Sequence, residues 1–285
     1  MKVLKVLIKN IRPFRSMHFS MLLISGALVA SWHPLLPGLD LTYWIKVIAL
    51  ILSIIFAFQA ACVVNDFYDL ESDKLTNPSR PLVKNAVSPS VYKKWGIGCF
   101  ILSLILSLIA GLVPFLLILL YHLVASVYSI PPFRLKSFFP LNTLLVALGG
   151  VIATVAGFSI LAGTDTFQLI PIRFVLMVGA ILVLSVNMIY IKDREGDRAE
   201  GIQSIPTMMS ERTSRWVIAL LTVVAYFCPP FILGIKQFYY FSALGALLGA
   251  YWVLRKKWSE VPYFITYFSL YVVLMYFIRE NGVLN

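Results

Sequence analysis

The sequence predicts an all-α membrane protein with nine transmembrane helices. Of its 285 residues, 60% are hydrophobic and 13% are charged, whereas soluble domains carry roughly 45–50% apolar and about 25% charged residues. The apolar residues form long runs, and a membrane span needs about 20 of them. Because every backbone polar group inside a bilayer must find its partner within the chain, runs of this length are typical of helices.

Nine apolar runs are long enough to be spans, and we expect them to form one membrane domain, residues 1–285. In order they are residues 17–32, 44–64, 95–113, 114–130, 141–162, 172–191, 215–234, 238–254 and 262–278. The first run follows a basic segment, as the apolar part of a signal peptide does. No clear small-residue cleavage site lies before Pro34 and Pro37, so we interpret this run as the first span.

The net charge of +11 is unevenly distributed along the chain. Twenty of the 24 lysines and arginines lie in the N-terminal segment or after the second, fourth, sixth and eighth runs. The other four are Lys46, Arg173, Lys236 and Arg279. Because basic connections are retained in the cytoplasm, this split predicts a cytoplasmic N-terminus and an external C-terminus. It attributes the charge to orientation and to contact with anionic membrane lipids, and not to nucleic acid.

Two long connections on the predicted cytoplasmic side begin with acidic residues. In the first, Asn65, Asp69 and Asp73 are four residues apart and share one face of a helix, with Asp66 at its border. Stacked carboxylates repel one another, so a cation is expected to compensate. Magnesium takes oxygen ligands, usually one or two carboxylates with phosphate oxygens and water. We therefore predict that these four residues bind Mg²⁺.

The second acidic connection repeats this spacing with Asp193 and Asp197. Two carboxylate faces of this kind are suited to hold magnesium ions on either side of a diphosphate, where the metal favours departure of the leaving group. Asp193 and Asp197 are accordingly predicted as metal ligands, and the catalytic set is Asp69, Asp73, Asp193 and Asp197. Solvated acidic faces at the membrane edge are the alternative interpretation.

Four segments of the chain resemble a known family. The stretches Asn65–Asp73 with Lys74–Pro81, and Asp193–Arg198, resemble the two signatures of the UbiA superfamily of intramembrane prenyltransferases. The segment Tyr128–Lys136 is similar to the family's tyrosine-to-lysine segment after the fourth helix, and Arg12-Pro13 to a dipeptide near the start of many members. The stretch Glu195–Pro206 resembles the branch with chlorophyll synthases, homogentisate prenyltransferases and archaeal digeranylgeranylglyceryl phosphate synthases.

The resemblance implies nine helices around a central cavity, capped by two cytoplasmic Asp-rich loops. It also implies that a magnesium–diphosphate site contains Asn65, Asp69, Asp73, Asp193 and Asp197. The substrates it implies are a polyprenyl diphosphate, such as geranylgeranyl diphosphate, and a lipophilic acceptor of lipid or quinone type.

Basic residues next to these segments are candidates for binding the diphosphate, whose charge exceeds what its magnesium can cancel. Arginine makes bidentate contacts to phosphate, and lysine acts as a point charge. The candidates are Arg80, Arg134, Lys136, Lys192 and, as a hydroxyl contact, Tyr128. For the four cations, loop charge kept only for orientation is the alternative.

Two polar residues within the predicted spans, Asn142 and Asn187, are expected to line the cavity, because intramembrane polar groups usually face the protein interior. The sequence as a whole therefore predicts Mg²⁺-assisted ionisation of a polyprenyl diphosphate to an allylic cation that the acceptor attacks. Two alternatives stay open. One is a terpene cyclase of the same superfamily, which needs no second substrate, and the other is a non-catalytic transporter of divalent cations or lipids.

Overall fold

The computed structural model describes residues 6–7, 10–33, 35–36, 39–161 and 168–282. The regular elements of these residues are helices. The long ones are α1 (Pro13–Ser31), α2 (Leu41–Tyr68), α4 (Pro89–Ala110), α5 (Leu112–Ser129), α6 (Leu141–Phe158), α7 (Ile172–Ser185), α10 (Glu211–Leu233), α11 (Tyr239–Leu254) and α12 (Glu260–Glu280). Three short helices follow the acidic residues or lie close to them: α3 (Leu70–Thr76), α8 (Arg194–Ala199) and α9 (Ile205–Met208). Short 3-10 turns cover Leu135–Ser137, Val186–Tyr190 and Lys236–Phe238.

Eight helices in the described part of the chain are long and apolar enough to cross a membrane, counting α7 with its 3-10 extension to Tyr190. The remaining predicted run, 238–254, is α11, whose 16 residues would cover about 24 Å at 1.5 Å per residue. That is shorter than the hydrocarbon core of about 30 Å. The membrane fold is therefore confirmed, and a ninth complete span stays a prediction.

The outer surface of the bundle is apolar, as lipid contact requires. On α4, Ile97, Ile101, Ile105 and Leu108 follow one face and are 49–56% exposed. Exposure of such a stripe to water would cost about 25 cal/mol for each Å² of apolar surface. A hydrocarbon environment removes this cost.

Helix ends are set by local sequence. Asp40 accepts a hydrogen bond from the Tyr43 backbone N–H at 2.7 Å and starts α2, and Ser88 caps α4 ahead of Pro89. Such caps satisfy N–H groups that lack a partner in the first turn. Gly111 has φ of 139° and allows α4 and α5 to follow each other as a hairpin.

Helices α1 and α6 cross in backbone contact at Gly26 and Gly157. A Cβ atom at Gly26 would overlap the Thr154 carbonyl oxygen, and one at Gly157 would overlap that of Leu23. Small residues permit this approach between membrane helices. The tight crossing fixes α1 beside the cavity described next, whereas α12 packs chiefly on α11 and α1.

Candidate active site

A cavity of about 230 Å³ lies inside the bundle, bordered by α1, α2, α5, α6, α7 and α12. Both acidic segments stand at one end of it. Its deeper wall is mainly apolar and includes Phe19, Phe58, Tyr121 and Leu182. The cavity therefore has a charged end and a hydrophobic interior.

The first acidic segment is a helix with one interruption. Helix α2 ends at Tyr68, Asp69 has non-helical dihedral angles, and α3 begins at Leu70. The backbone bonds nevertheless stay at i→i−4, because the Asp69 N–H donates to Asn65 at 2.9 Å and the Asp73 N–H donates to Asp69 at 2.8 Å. Asn65, Asp69 and Asp73 thus share the cavity-lining face, as their spacing predicts.

Asp69 is held from three directions. Asn65 Nδ2 donates to its Oδ2 at 2.6 Å. Its Oδ1 accepts from Lys136 Nζ and from Arg134 Nη2, the latter at 3.2 Å. Both basic side chains come from the segment after α5, which the sequence associates with the diphosphate. Arg134 also pairs with Glu200.

Asp73 is paired with Arg80 on one side and with an amide on the other. Arg80 Nη1 bonds to Asp73 Oδ2, and Asn77 Nδ2 donates to Asp73 Oδ1 at 3.1 Å. Burial raises the pKa of Asp73 to about 6, against the opposing effect of Arg80. The Asp73 carboxylate is therefore costly to keep charged without a cation.

Asp66, also predicted as a metal ligand, does not line the cavity. It is 1% exposed and lies behind the cavity wall. Its Oδ1 accepts from Arg12 at 2.6 Å and from Arg80 at 2.9 Å, and its Oδ2 accepts from the Tyr92 hydroxyl at 2.7 Å. Asp66 thus holds Arg12 and Arg80 in position, and its predicted role as a metal ligand stays a prediction.

The second acidic segment packs directly on the first. Asp193 precedes α8, and Asp197 N–H donates to Asp193 O at 2.9 Å, which preserves the predicted i, i+4 geometry. Asn77 Nδ2 also donates to Asp193 Oδ1 at 3.0 Å and so bridges the two segments. A Cβ atom at Gly196 would lie 2.8 Å from the Ser72 carbonyl oxygen, so the approach of α8 to α3 depends on this glycine.

Asp197 has an oxygen with no partner. Its Oδ2 is buried and accepts no hydrogen bond from the described residues. Burial raises the pKa of Asp197 to about 7, and the nearby Asp193 adds to the shift. A buried carboxylate in this state needs a cation for its charged form.

The arrangement fits magnesium together with a phosphate ligand. In the described ranges, no three His, Cys, Asp or Glu side chains are grouped closely enough to form a metal site alone. Magnesium usually takes one or two carboxylates and completes its shell with phosphate oxygens and water. Asp193 and Asp197 make no ion pair with a described basic residue. The unpaired Oδ2 of Asp197 is therefore available as a metal ligand.

The remaining predicted site residues occupy different positions. Lys136 is buried and lines the cavity, as does Tyr128, whose hydroxyl lies 3.5 Å from that of Tyr190. Arg134 lies just outside, between Asp69 and Glu200. Lys192 is exposed, with its Nζ 3.4 Å from Asn77 Oδ1.

Asn142 and Asn187 do not line the cavity, which corrects their predicted position. Asn142 Nδ2 donates to the Gln203 carbonyl at 2.7 Å. Asn187 Oδ1 accepts from the Thr143 hydroxyl at 3.1 Å. Both residues are buried and use their polar groups to join helices and the segment after α8.

Three contributors were absent from the predicted site. Asn77 continues the four-residue series of Asn65, Asp69 and Asp73, so its signal was available in the spacing. Glu200 accepts from the Ser72 backbone N–H at 3.1 Å and pairs with Arg134, a long-range contact that no local pattern encodes. Arg12 reaches Asp66 over 54 residues.

A helical membrane fold whose cavity has a hydrophobic interior and ends in two adjacent carboxylate segments is suited to an intramembrane site for a lipid and a cation. The profile of the UbiA prenyltransferase family matches residues 19–270. The chain belongs to this family and is a prenyltransferase.

The chain is similar to several proteins named digeranylgeranylglyceryl phosphate synthase. It is 28% identical to that of Sulfolobus acidocaldarius over 193 residues, 64% of this chain and 65% of the relative, which is slightly less than two thirds of that protein. It is 26% identical to that of Pyrococcus horikoshii over 79% of this chain and 77% of the relative. The fold is similar to that of a UbiA homologue from Archaeoglobus fulgidus solved with GPP and Mg²⁺, with a TM-score of 0.70, 19% identity and coverage of 100% and 99% of the two chains.

Proposed function

We propose that this protein transfers a polyprenyl group from a polyprenyl diphosphate to a lipid acceptor, with Mg²⁺ as cofactor. The acceptor we favour is a glyceryl phosphate that already carries one prenyl chain, because relatives are named for a product with two such chains. The observation that carries the proposal is the pairing of two carboxylate segments through Asn77 at the charged end of an apolar cavity.

The basic residues that pair with the first acidic segment have a direct part in this function. Without substrate, Lys136 and Arg134 neutralise Asp69, and Arg80 neutralises Asp73. We propose that these side chains turn to phosphate oxygens when the diphosphate binds, which frees carboxylate oxygens for the metal. Bound Mg²⁺ would neutralise negative charge on the departing diphosphate. The cations are therefore exchangeable counter-ions for the aspartates.

The apolar interior protects the reactive carbon atom. Loss of diphosphate leaves an allylic cation, and water would consume it. The deep wall at Phe19, Phe58 and Tyr121 is aromatic, which excludes water and presents ring faces that attract a cation. The acceptor hydroxyl then attacks the cation and forms the new carbon–oxygen bond, and its proton passes to an oxygen of the released diphosphate.

We further propose that both acidic segments face the cytoplasm, as the distribution of lysine and arginine predicts. At a cytoplasmic site, the charged phosphate groups of both substrates can approach from the aqueous phase.

The decisive experiment supplies purified protein with labelled geranylgeranyl diphosphate, Mg²⁺ and a panel of acceptors, with product identification by mass spectrometry. We expect a metal-dependent ether product with a prenylated glyceryl phosphate. Formation of a cyclic hydrocarbon without any acceptor would instead identify a terpene cyclase. If no diphosphate were released under any condition and the protein transported metal ions into vesicles, the proposed transferase function would be wrong and a transport function would be indicated.

A further inference from the structure

A second, narrower cavity lies beside the active-site cavity. Ser185, Tyr263 and Tyr267 line both cavities and form their junction. The side cavity lies between α12 and the helices α7 and α10, and its volume is about 30 Å³. The two cavities are therefore neighbours that share part of one wall.

Beyond the junction the walls of the side cavity are mainly apolar. They include Ile181, Ala225, Pro229, Phe238, Leu270 and Leu274, together with the side chains of Tyr226 and Tyr271. The side cavity is thus a narrow apolar slot along α12. At about 30 Å³ it has room for no more than one or two water molecules, so a hydrocarbon chain can enter only if the surrounding helices separate.

Two buried hydroxyl groups in the side cavity have no hydrogen-bond partner in the described part of the chain: those of Tyr226 and Tyr267. Buried polar groups are nearly always paired, and an exception needs an explanation. Near Tyr267, the Nδ1 atom of His18 is also buried without a partner, and the two rings lie 5.4 Å apart. Two of these three unpaired groups, those of Tyr267 and His18, thus lie beside the junction of the cavities, whereas Tyr226 lines the side cavity alone.

An occupant with oxygen atoms at the head of a hydrocarbon chain would satisfy these groups. The polyprenyl diphosphate cannot satisfy these groups, because its oxygen atoms all lie in the diphosphate at the acidic end and its chain is a pure hydrocarbon. A glyceryl lipid has hydroxyl and ether oxygens next to its chain. The chemistry at the junction therefore favours the acceptor.

The packing of α12 allows the slot to widen. Its principal neighbours are α11 and α1, and it has few contacts with α7 and α10, which form the other walls. A chain that enters can separate these surfaces without breaking the tight α1–α6 crossing.

We infer that the side cavity binds the hydrocarbon chain of the acceptor, while the deep part of the main cavity holds the chain of the donor. This inference rests on the proposed prenyl transfer to a lipid. It adds where the single hydrocarbon chain of that acceptor lies, with its oxygen-bearing end beside Tyr267 at the junction.

The test fills the slot and compares acceptors that differ only in chain length. Ala225 is 3% exposed, so Ala225→Leu places extra volume in the side cavity. We expect the KM for a glyceryl phosphate with a 20-carbon chain to rise by about tenfold, equivalent to ~1.4 kcal/mol. The KM for the same headgroup with a four-carbon chain, the KM for geranylgeranyl diphosphate and the kcat with the short acceptor should stay at parent values.

Two further variants complete the design. Ala243→Leu makes the same change on an exposed position of α11 and should leave all constants unchanged. Leu274→Ala lengthens the slot and should improve kcat/KM for acceptors with chains longer than 20 carbon atoms, which provides a readout if Ala225→Leu fails to fold. A rise in the donor KM, or an equal effect on both acceptors, would overturn the inference. Parent protein that transfers no prenyl group would instead contradict the proposed function, so the two failures are distinct.

Discussion

Each carboxylate of the first acidic segment that lines the cavity has a basic partner, whereas those of the second have none among the described residues. Asp69 holds Lys136 and Arg134, and Asp73 holds Arg80. Asp197 keeps one oxygen unpaired. At the residue scale the site is thus divided into a half that must exchange its counter-ions and a half that is open to a cation.

Replacement of one aspartate in each half, by Asp69→Ala or Asp193→Ala, should abolish turnover while the protein still inserts and purifies. Each change removes a carboxylate from one of the two faces proposed to hold the metal. We expect less than a tenth of parent activity, a loss above about 1.4 kcal/mol of barrier stabilisation, measured as product formed at saturating Mg²⁺. Glu71→Ala is the matched control, because Glu71 is exposed and pairs only with Lys74 in the same segment. Near-parent activity in both aspartate variants would contradict the proposal that these residues bind the metal.

Arg80→Lys should also be costly, although it keeps the charge. Arg80 Nη1 contacts both Asp66 and Asp73 from a position that lines the cavity. A planar guanidinium can hold this geometry and still present nitrogen atoms to phosphate, and an ammonium group cannot reproduce several such contacts. Loss of one charge-assisted bond should cost ~1.5–3 kcal/mol.

The kinetic constants separate the possible roles of Arg80. If its contact strengthens as the leaving group gains charge, kcat falls more than the KM for the diphosphate changes. Lys84→Ala, at an exposed position four residues further on, should have no effect. Parent-like kinetics for Arg80→Lys would leave Arg80 with a topological role only.

At the scale of the elements, the spacing of residues along the chain was a better guide to the site than the helix boundaries were. The periodicity at Asn65, Asp69 and Asp73 places these side chains on one face, and the structure keeps that face although α2 breaks at Asp69. The apolar runs predicted eight membrane helices because a span requires about 20 mainly apolar residues. The contacts of Asp66 could not be predicted because its partners, Arg12 and Tyr92, lie far away in sequence. Asn142 was misassigned because polarity inside a span indicates burial and does not distinguish a cavity wall from a contact between helices.

The contact between α3 and α8 leads to a prediction at this scale. Gly196→Ala places a methyl group 2.8 Å from the Ser72 carbonyl oxygen, a backbone atom that cannot rotate away. The two short helices must separate, and Asn77 then loses its bridge between Asp73 and Asp193. We expect a fall in kcat of at least about tenfold, or ~1.4 kcal/mol, and a weaker apparent affinity for Mg²⁺.

The melting temperature of the detergent-solubilised protein provides the control measurement for Gly196→Ala. The site lies outside the main helical core, so the melting temperature should change little. Gly98→Ala, where a Cβ atom would meet nothing within 4 Å, should match the parent in both assays. Unchanged kcat and Mg²⁺ dependence in Gly196→Ala would show that the spacing of the two segments is not critical.

At the scale of the whole molecule, the two acidic segments stand at the same end of one cavity, so a single orientation in the membrane fixes the compartment of both. The apolar stripe on α4 and the buried crossing of α1 with α6 are features of a protein surrounded by lipid. That residues 1–285 form one domain is consistent with a family match over 19–270 and stays a prediction. Orientation, in contrast, depends on charges that act during insertion, and no contact inside the folded protein records it.

The orientation prediction follows from the distribution of lysine and arginine, 20 on one predicted side and four on the other. Ala86 lies ahead of α4 near the first acidic segment, and Gln237 follows α10 at the opposite end; both are exposed. In a variant without the native Cys62, Cys99 and Cys228, Gln237→Cys should react with a membrane-impermeant maleimide in intact cells. Ala86→Cys should react only after permeabilisation. The reverse pattern would place the acidic segments outside, and equal labelling of both would contradict the odd number of spans, α4 to α7 and α10, between the two positions. Since a diphosphate cannot cross the apolar interior without a large desolvation cost, the side on which Ala86 is protected is also the side that must supply the donor and receive the released diphosphate.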